Sequence, residues 1–407
     1  MRYLFPAFFI AFILACAPSS EVPVDVMVLV PNAKNEFEPR QKQLKTISDI
    51  SKLEGSVTSF IGGARMIVDE NSETKETVEE YRKAVFKDKG GSVRAQFIGK
   101  DGVLWPADFH SWAMTTAYWN LEQAFLYFQE VYNGKNTKEL LNIPTYYWLD
   151  TNISDPDKKE SSTDNAFFFS TLRMMAVLPF KDLQTIPMSI NLGVMAHEYA
   201  HFVFNTRVHH SDPFLPIYRR IEYNDIALNI LASLEEGLAD FHAVGIIQRL
   251  GNTENTRFFE WTLSKEAADE RDLALPHCAT NIAPGYNMRT VLENTKHEDF
   301  GKSKAPYYVG TLFAASFYQA ASEMAALDAM PKFILNAYDG IRWHYLNTPP
   351  HEISLESVSD VFLEYITDTP LRTRVCSHML NRLLLDKALM PHCPQQSLPE
   401  PNRCSKP

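Results

Sequence analysis

The stretch GVMAHEYAHFVF, residues 193–204, places two histidines and a glutamate in an otherwise apolar run. Apolar residues recur here at the spacing of an α-helix, which we expect to be capped by Ser189. His197 and His201 are four residues apart, so both imidazoles project from one face of this helix, as two ligands of one zinc ion must. Glu198 lies one step round the helix, where its carboxylate can take a proton from a water molecule held on the metal. The pattern predicts a zinc centre with its own general base.

A catalytic zinc ion needs a third protein ligand, and the stretch LEEGLAD, residues 234–240, can supply one. We predict Glu236, because Asp240 follows it by one helical turn and can accept the ring proton of a ligand histidine. Glu235 is the alternative ligand, although no aspartate follows it at that spacing. Both candidates lie among leucine, alanine and phenylalanine residues, where an uncompensated carboxylate would be costly. A metzincin pattern is excluded, because its glycine and third histidine are missing after the second histidine.

With HEYAH followed by EGLAD, the sequence resembles the gluzincin zinc metallopeptidases of the thermolysin and fungalysin type, over most of residues 105–325. The resemblance implies an α+β fold with two lobes, a strand-rich N-terminal lobe and a mainly helical C-terminal lobe, with the zinc cleft between them. It also implies one Zn²⁺ per chain, held by His197, His201 and Glu236, with Asp240 behind the ligands. The implied partner is a protein or peptide substrate.

Two further short matches concern the substrate. DNAFF is similar to the strand with which this family holds the substrate backbone, which implies that Asn165 and Ala166 are substrate contacts. An exposed strand edge is also a natural template for an extended peptide. RDLALP is similar to the family segment whose arginine orients the substrate carbonyl and supports the third ligand, which implies this role for Arg271.

One position departs from the family pattern. Where the family has a histidine three residues before a glycine, this chain has Tyr307 in APYYVG. A tyrosine hydroxyl can donate the same hydrogen bond to a transition-state oxyanion. Tyr308 and His297 are alternatives for this role.

The sequence therefore predicts a secreted or membrane-anchored zinc-dependent endopeptidase, in which Glu198 activates a zinc-bound water for attack on the peptide bond. The missing family histidine favours an alternative, a catalytically silent metallopeptidase-like lipoprotein that binds peptides or cell-envelope partners. A third hypothesis is a structural protein in which HEYAH is accidental.

The first residues, MRYLFPAFFIAFILAC, have the layout of a signal peptide over residues 1–15. The ending ILAC resembles a bacterial lipobox, which implies that Cys16 carries a lipid anchor to the membrane. An ordinary signal peptide cut nearby is the alternative. Either one predicts export, as a cell-envelope lipoprotein at the outer membrane or periplasmic face or as a secreted protein. No later segment is long and apolar enough to span a bilayer.

The rest of the chain divides by pattern. We predict a lipidated N-terminus and linker over residues 16–50, a strand-rich lobe over 51–205 and a helical lobe over 206–407, which carries the third zinc ligand. The first of these lobes contains a long buried helix in DFHSWAMTTAYWNLEQAFLYFQEVYNG and one or two buried strands in NAFFFSTLRMMAVLPF. Strands before helices along the chain indicate an α+β class.

Charge and cysteine content complete the sequence-based expectations. The formal net charge of −11 argues against nucleic acid as a partner. Four cysteines remain if Cys16 is lipidated: Cys278, Cys376, Cys393 and Cys404. An even number of cysteines in an oxidising compartment predicts two disulfides, whose pairing stays open. His209 and His210 fall in a stretch that we expect to be a solvated surface loop.

Overall fold

A computed structural model describes residues 22–32, 36–69, 75, 77–135, 137–153, 162–181, 186–210, 224–251, 255–258, 269–280 and 287–394. The predicted signal peptide and Cys16 lie outside these residues. The described strands all precede residue 178, and the C-terminal part is helical, so the α+β class is confirmed. This arrangement is consistent with the two-lobed organisation expected from the sequence.

The described strands, in chain order, are β1 (Val24–Pro31), β2 (Phe37–Leu44), β3 (Ile47–Asp49), β4 (Glu54–Gly55), β5 (Thr58–Gly62), β6 (Arg65–Met66), β7 (Phe86–Asp88), β8 (Gly91–Ser92), β9 (Phe97–Lys100), β10 (Val103–Pro106), β11 (Ile143–Tyr147), β12 (Asp150–Thr151), β13 (Ala166–Phe169) and β14 (Met174–Val177). The described α-helices are α1 (Val78–Val85), α2 (Phe109–Val131), α3 (Leu192–Arg207), α4 (Asp225–Arg249), α5 (Met288–Asn294), α6 (His297–Gly301), α7 (Ala305–Glu323), α8 (Met330–Asn347), α9 (Leu355–Tyr365) and α10 (Thr369–Arg382).

The N-terminal strands belong to the folded body. A four-stranded sheet has the order β2-β1-β10-β9, with β2 antiparallel to β1. Val26 and Val28 of β1 are fully buried, and the backbone N–H of Leu29 donates a hydrogen bond of 3.1 Å to the Thr116 hydroxyl of α2. The linker predicted over residues 16–50 is therefore wrong for residues 24–44. The centre of β1 is buried and β2 pairs with β1 along its whole length, which a solvated linker would not allow.

The largest sheet carries the strand next to the predicted metal site. Its order is β13-β14-β11-β5-β4-β3, with β8 also paired to β5, while β12, β6 and β7 form a separate three-stranded sheet. Strand β11 runs parallel to β5 and β14, and β13 runs antiparallel to β14. β13 therefore lies at an edge of the sheet. β13 and β14 are the strands that the sequence indicated in NAFFFSTLRMMAVLPF.

Helix α2 begins and ends as its sequence predicts. The Asp108 side chain caps it by accepting a hydrogen bond from the Ser111 N–H, and the chain leaves the helix through Asn133 and Gly134 at φ values of 51° and 69°. The helix is part of one continuous cluster of buried residues that extends from Val26 to Cys393. The division into lobes at residue 205 stays a prediction, since both halves contribute to this core. Within the described part of the chain, no helix has the length and apolar character needed to cross a membrane.

Helix α3, which carries HEYAH, begins two residues later than expected. Its cap is Asn191, whose side chain accepts hydrogen bonds from the N–H groups of Gly193 and Val194. Ser189 precedes the cap, so the predicted cap is wrong. Nearly every residue of α3 is buried, which explains why the apolar residues surround the helix rather than mark one stripe.

Two glycines let α4 and α7 touch through their backbones. A Cβ atom built on Gly237 of α4 would lie 2.1 Å from the carbonyl oxygen of Gly310 in α7, and one built on Gly310 would lie 2.5 Å from the Ser233 oxygen. No residue with a side chain fits at either position without moving a backbone. The contact brings Glu236, next to Gly237, close to the first turn of α7, where Tyr307 lies.

One disulfide is fully described. Cys376 of α10 is joined to Cys393. Cys278 is also disulfide-bonded, and Cys404 lies outside the described residues. The expectation of disulfides in this chain therefore holds for three of its cysteines.

Candidate metal centre

Three predicted ligand atoms converge between α3 and α4. The Nε2 atoms of His197 and His201 lie 3.0 Å apart. Oε2 of Glu236 lies 3.3 Å from the first of these nitrogens and 3.7 Å from the second. In the described part of the chain, these three residues are the group of histidine, cysteine or acidic side chains whose geometry could hold a metal ion.

The outer nitrogens of both rings face carboxylates. His197 Nδ1 lies 3.0 Å from Asp240 Oδ1, and His201 Nδ1 lies 3.1 Å from Glu235 Oε1. A carboxylate can only accept a hydrogen bond, so each ring, when neutral, carries its proton on Nδ1 and presents a lone pair at Nε2. The two nitrogens and Glu236 Oε2 therefore direct three lone pairs at one point, where they repel one another unless a cation lies between them. Two imidazoles and one carboxylate are a donor set that suits Zn²⁺.

The charges around this point also favour a cation. Burial lowers the pKa of His201, but the carboxylates of Glu236 and Glu235 outweigh it and raise this pKa well above its ordinary value. Burial raises the pKa of Glu236, but the two imidazoles outweigh it and lower this pKa well below its ordinary value. A positive charge among the three ligand atoms is therefore stabilised, whether a proton or a metal ion supplies it.

Glu198 lies beside the ligands and contacts strand β13. Its Oε2 accepts a hydrogen bond of 2.7 Å from the backbone N–H of Phe168. The residue is buried, with 8% of its surface exposed, and burial raises the pKa of its carboxyl group. A raised pKa brings a carboxylate closer to the range in which it can accept and then return a proton near neutral pH.

Arg271 is buried behind the third ligand. Its guanidinium donates to Asp240 through Nε, at 3.0 Å, and through Nη2, at 2.7 Å, and Nη2 lies 3.4 Å from Glu236 Oε2. The rings of Phe258 and Tyr307 flank it, with centroids 4.6 Å and 4.4 Å from Cζ. Arg271 therefore holds both carboxylates of the EGLAD segment in place, as the resemblance implied for the third ligand. It also lines the cleft in front of them.

Tyr307 lines the same cleft from the first turn of α7. The charge of Glu236 and burial raise the pKa of its phenol, so the hydroxyl keeps its proton and can donate a hydrogen bond. Tyr308 is not among the residues that line the cleft. Of the two tyrosines, the structure places only Tyr307 beside the metal ligands.

His297 also lines the cleft, but its hydrogen bonding suits a different role. Its Nδ1 lies 3.0 Å from Oδ1 of Asn229, whose Nδ2 donates to the carbonyl oxygens of Leu292 and Thr295. These two bonds orient the amide, so its oxygen accepts from Nδ1 and the neutral ring presents a lone pair at Nε2. Burial lowers the pKa of His297, which favours this neutral form. A neutral ring in this tautomer cannot donate a hydrogen bond from Nε2, whereas Tyr307 can donate one.

The cleft has a volume of about 430 Å³, with β13 on one side and the metal ligands on the other. Asn165 and Ala166 lie on the β13 side; Asn165 is exposed and Ala166 is buried. Backbone groups of a strand alternate in direction, so Ala166 points its N–H and C=O to the same side as Phe168, whose N–H reaches Glu198. The predicted substrate contacts are therefore at the sheet edge that faces the metal centre.

Three residues near the centre were missed or misread in the sequence. Glu235 was considered only as a rival ligand, but it is the partner of the second histidine. Phe258 stacks on His197, with centroids 4.7 Å apart and planes 8° from parallel, and no local pattern marked it. The expectation that His209 is solvated is wrong, because it is 2% exposed and its Nε2 lies 3.9 Å from Glu235 Oε2. His209 lies two residues after the end of α3. The apolar sequence of that helix was the signal that could have predicted burial of His209.

Comparison with known proteins gives likenesses among solved structures. No protein-family model and no curated protein matches the chain. Among solved structures, the chain is similar to the precursor of protealysin, a metalloproteinase from Serratia proteamaculans. The two share 14% sequence identity over 77% of this chain and 84% of that chain, with a TM-score of 0.46. At these values, the interpretation of the site rests on the side-chain geometry alone.

Proposed function

We propose that this protein is a zinc-dependent endopeptidase. The observation that carries the proposal is the convergence of ligand atoms from His197, His201 and Glu236 beside a buried Glu198 that contacts the edge strand β13. A metal site, a general base and a template for an extended peptide therefore lie within one cleft.

The chain's own residues would divide the chemistry among them. Zn²⁺, when bound, would lower the pKa of a water molecule to about 7 and polarise the carbonyl of the scissile bond. Glu198 would take the proton of the attacking water and then return it to the leaving amine. The Phe168 N–H holds the Glu198 carboxylate at the sheet edge, so the base and the peptide backbone meet at the same strand.

Tyr307 and Arg271 would act on the opposite side of the scissile bond. The Tyr307 hydroxyl, which keeps its proton, would donate a hydrogen bond to the oxyanion that forms on the substrate carbonyl. Arg271 would keep Glu236 and Asp240 in position and present part of its guanidinium to the cleft. The peptide itself would bind along Asn165 and Ala166 as an added strand.

We further propose that the protein acts outside the cytoplasm, tethered by a lipid on Cys16 or secreted. Support comes from the signal-peptide and lipobox pattern of the first sixteen residues, and from the disulfide of Cys376 and Cys393, a bond that persists mainly in oxidising compartments. Metabolic labelling with a radioactive fatty acid, compared between the parent and Cys16→Ser, would detect the anchor. Equal labelling of both would contradict it.

A second candidate function is peptide binding without hydrolysis. It is favoured by Tyr307, which stands where the family has a histidine. In this case the cleft would still hold zinc and an extended peptide. Turnover would be absent.

The test compares the parent, Glu198→Gln and a control, Glu130→Gln, whose carboxylate is exposed and pairs with Arg249. Each purified protein is analysed for zinc and incubated with a peptide library and with an unfolded protein. We expect one zinc ion in all three and cleavage by the parent and the control. Glu198→Gln should lose activity by at least about 10²-fold, since a general base contributes that much or more.

The other outcomes separate the hypotheses. Zinc without cleavage in the parent would favour the binding function. The absence of stoichiometric zinc from the parent would contradict both. Cleavage by Glu198→Gln at the parent rate would refute the mechanism.

A further inference from the structure

We propose that Glu235 is a positioning residue that strengthens metal binding through His201. The inference rests on the proposed zinc site but concerns a residue that is not one of its three ligands. Asp240 supports His197 from α4, and Glu235 gives the second histidine an equivalent anionic partner from the same helix.

The contact is close and directional. Glu235 Oε1 lies 3.1 Å from His201 Nδ1, on the side of the ring opposite to the ligand atom. The bond places the ring proton on Nδ1, leaves the lone pair on Nε2, and fixes the rotation of the ring. Glu235 and Glu236 are adjacent on α4, so their side chains diverge by about 100°. One carboxylate can therefore reach the ligand point while the other reaches the outer side of the ring.

The second oxygen of Glu235 faces another imidazole. Its Oε2 lies 3.9 Å from Nε2 of His209, which is buried just beyond the end of α3. The ring of Phe204 packs against His209 at 5.6 Å between centroids. The imidazoles of His201 and His209 therefore face the two oxygens of the buried Glu235 carboxylate. The Glu235 side chain therefore has contacts at both ends of its carboxylate.

A charged partner differs from a neutral one in its effect on the ligand. An ionised carboxylate at Nδ1 makes the imidazole a stronger electron donor at Nε2, and loss of such outer partners typically weakens metal binding by about 10- to 100-fold. Glutamine at this position would keep an oxygen that accepts from His201 and would remove the charge. Alanine would remove both. The two replacements therefore separate orientation from charge.

The experiment measures zinc affinity of the full mature chain by competition with a chromophoric chelator. The variants are Glu235→Gln, Glu235→Ala and the charge-matched control Glu130→Gln. We expect Kd to rise about 10-fold for Glu235→Gln and up to about 100-fold for Glu235→Ala, with the control unchanged. Thermal unfolding of each zinc-free protein is measured in parallel. A purely structural role would lower the unfolding temperature of the zinc-free variants and leave Kd unchanged.

The outcomes also separate this inference from the proposed function. A Kd within twofold of the parent for both Glu235 variants would overturn the inference, while hydrolysis by the parent would still support the peptidase. If the parent binds zinc but cleaves nothing, the peptidase is refuted, and the comparison of Kd values still decides the role of Glu235. If the parent binds no zinc, both are overturned.

Discussion

Replacing Gly310 by alanine should disturb the catalytic geometry without removing any side chain of the site. Gly310 of α7 lies against Gly237 of α4. Gly237 is the residue that follows Glu236, the predicted third ligand. Tyr307 lies nearly one turn before Gly310 on the same helix. The spacing of the two helices therefore determines the distance between Tyr307, the proposed oxyanion donor, and Glu236, the proposed metal ligand.

The size of the effect follows from the geometry. A Cβ on Gly310 would lie 2.5 Å from the Ser233 oxygen and 2.6 Å from the Gly237 nitrogen, where ordinary contact begins at 3.4 Å. Both are backbone atoms, so α7 must move by about 1 Å to restore normal contact. Overpacking of this kind costs about 1–3 kcal/mol, and the higher helix propensity of alanine offsets about 1 kcal/mol. We expect a net loss of about 1 kcal/mol, and a 1 Å displacement of Tyr307 can lower kcat by about 100-fold.

Urea denaturation, zinc content and peptide hydrolysis would be measured for Gly310→Ala and for Gly245→Ala. The control makes the same substitution on α4, where the new Cβ would meet the side-chain hydroxyl of Tyr127 at 3.0 Å rather than a backbone. Gly245→Ala should keep its activity and lose no stability, and both variants should keep their zinc. Equal stability and equal kcat in the two variants would refute the idea that the glycine contact positions Tyr307.

Three further predictions test single features. Tyr307→Phe should lower kcat by about 10²- to 10³-fold with zinc retained, as loss of an oxyanion donor does, and steady-state kinetics with an unchanged kcat would exclude this role. Burial raises the pKa of Glu122 above its ordinary value of 4.5, so the charged carboxylate destabilises the fold once the pH rises through 4.5. Glu122→Gln keeps an acceptor for the Thr46 N–H, and above that pH its free energy of unfolding in urea should rise relative to that of the parent. Parallel pH profiles of stability for the two proteins would contradict this. Alanine at both Cys376 and Cys393, which are 17 residues apart, should lower the free energy of unfolding by about 3 kcal/mol, and an unchanged denaturation midpoint would count against a stabilising disulfide.

The residues that converge at the metal centre could be predicted from spacing alone, because all of them are on two helices. A separation of four residues places His197 above His201 on one face, and the same separation places Glu236 and Asp240 on one face of α4. Helical geometry relates such residues directly, whatever the rest of the chain does. The structure brings all four together.

Contacts between elements distant in sequence could not be predicted in this way. Phe258 stacks on His197 from a segment sixty residues further along the chain, and its sequence neighbours show no periodicity that points there. Nothing in the sequence around Glu235 distinguishes it from a solvated glutamate on a helix. It contacts His201 only because α3 and α4 pack together. The sequence of β2, FEPRQKQL, is typical of a polar linker, because half of its residues are exposed and only Leu44 is buried. Its pairing with β1 is what makes it a strand.

The packing of α3 explains how a polar site can exist in an apolar core. A buried polar side chain needs a partner, and here each partner comes from another element: β13 for Glu198, and α4 for His197 and His201. These bonds fix the rings before any ligand arrives, so the lone pairs of both Nε2 atoms already meet that of Glu236. A proton can be shared by only two of the three atoms, and the third lone pair then stays opposed. A divalent cation would satisfy all three at once, so the packing that buries this helix also gives the three side chains a geometry that could hold a metal ion.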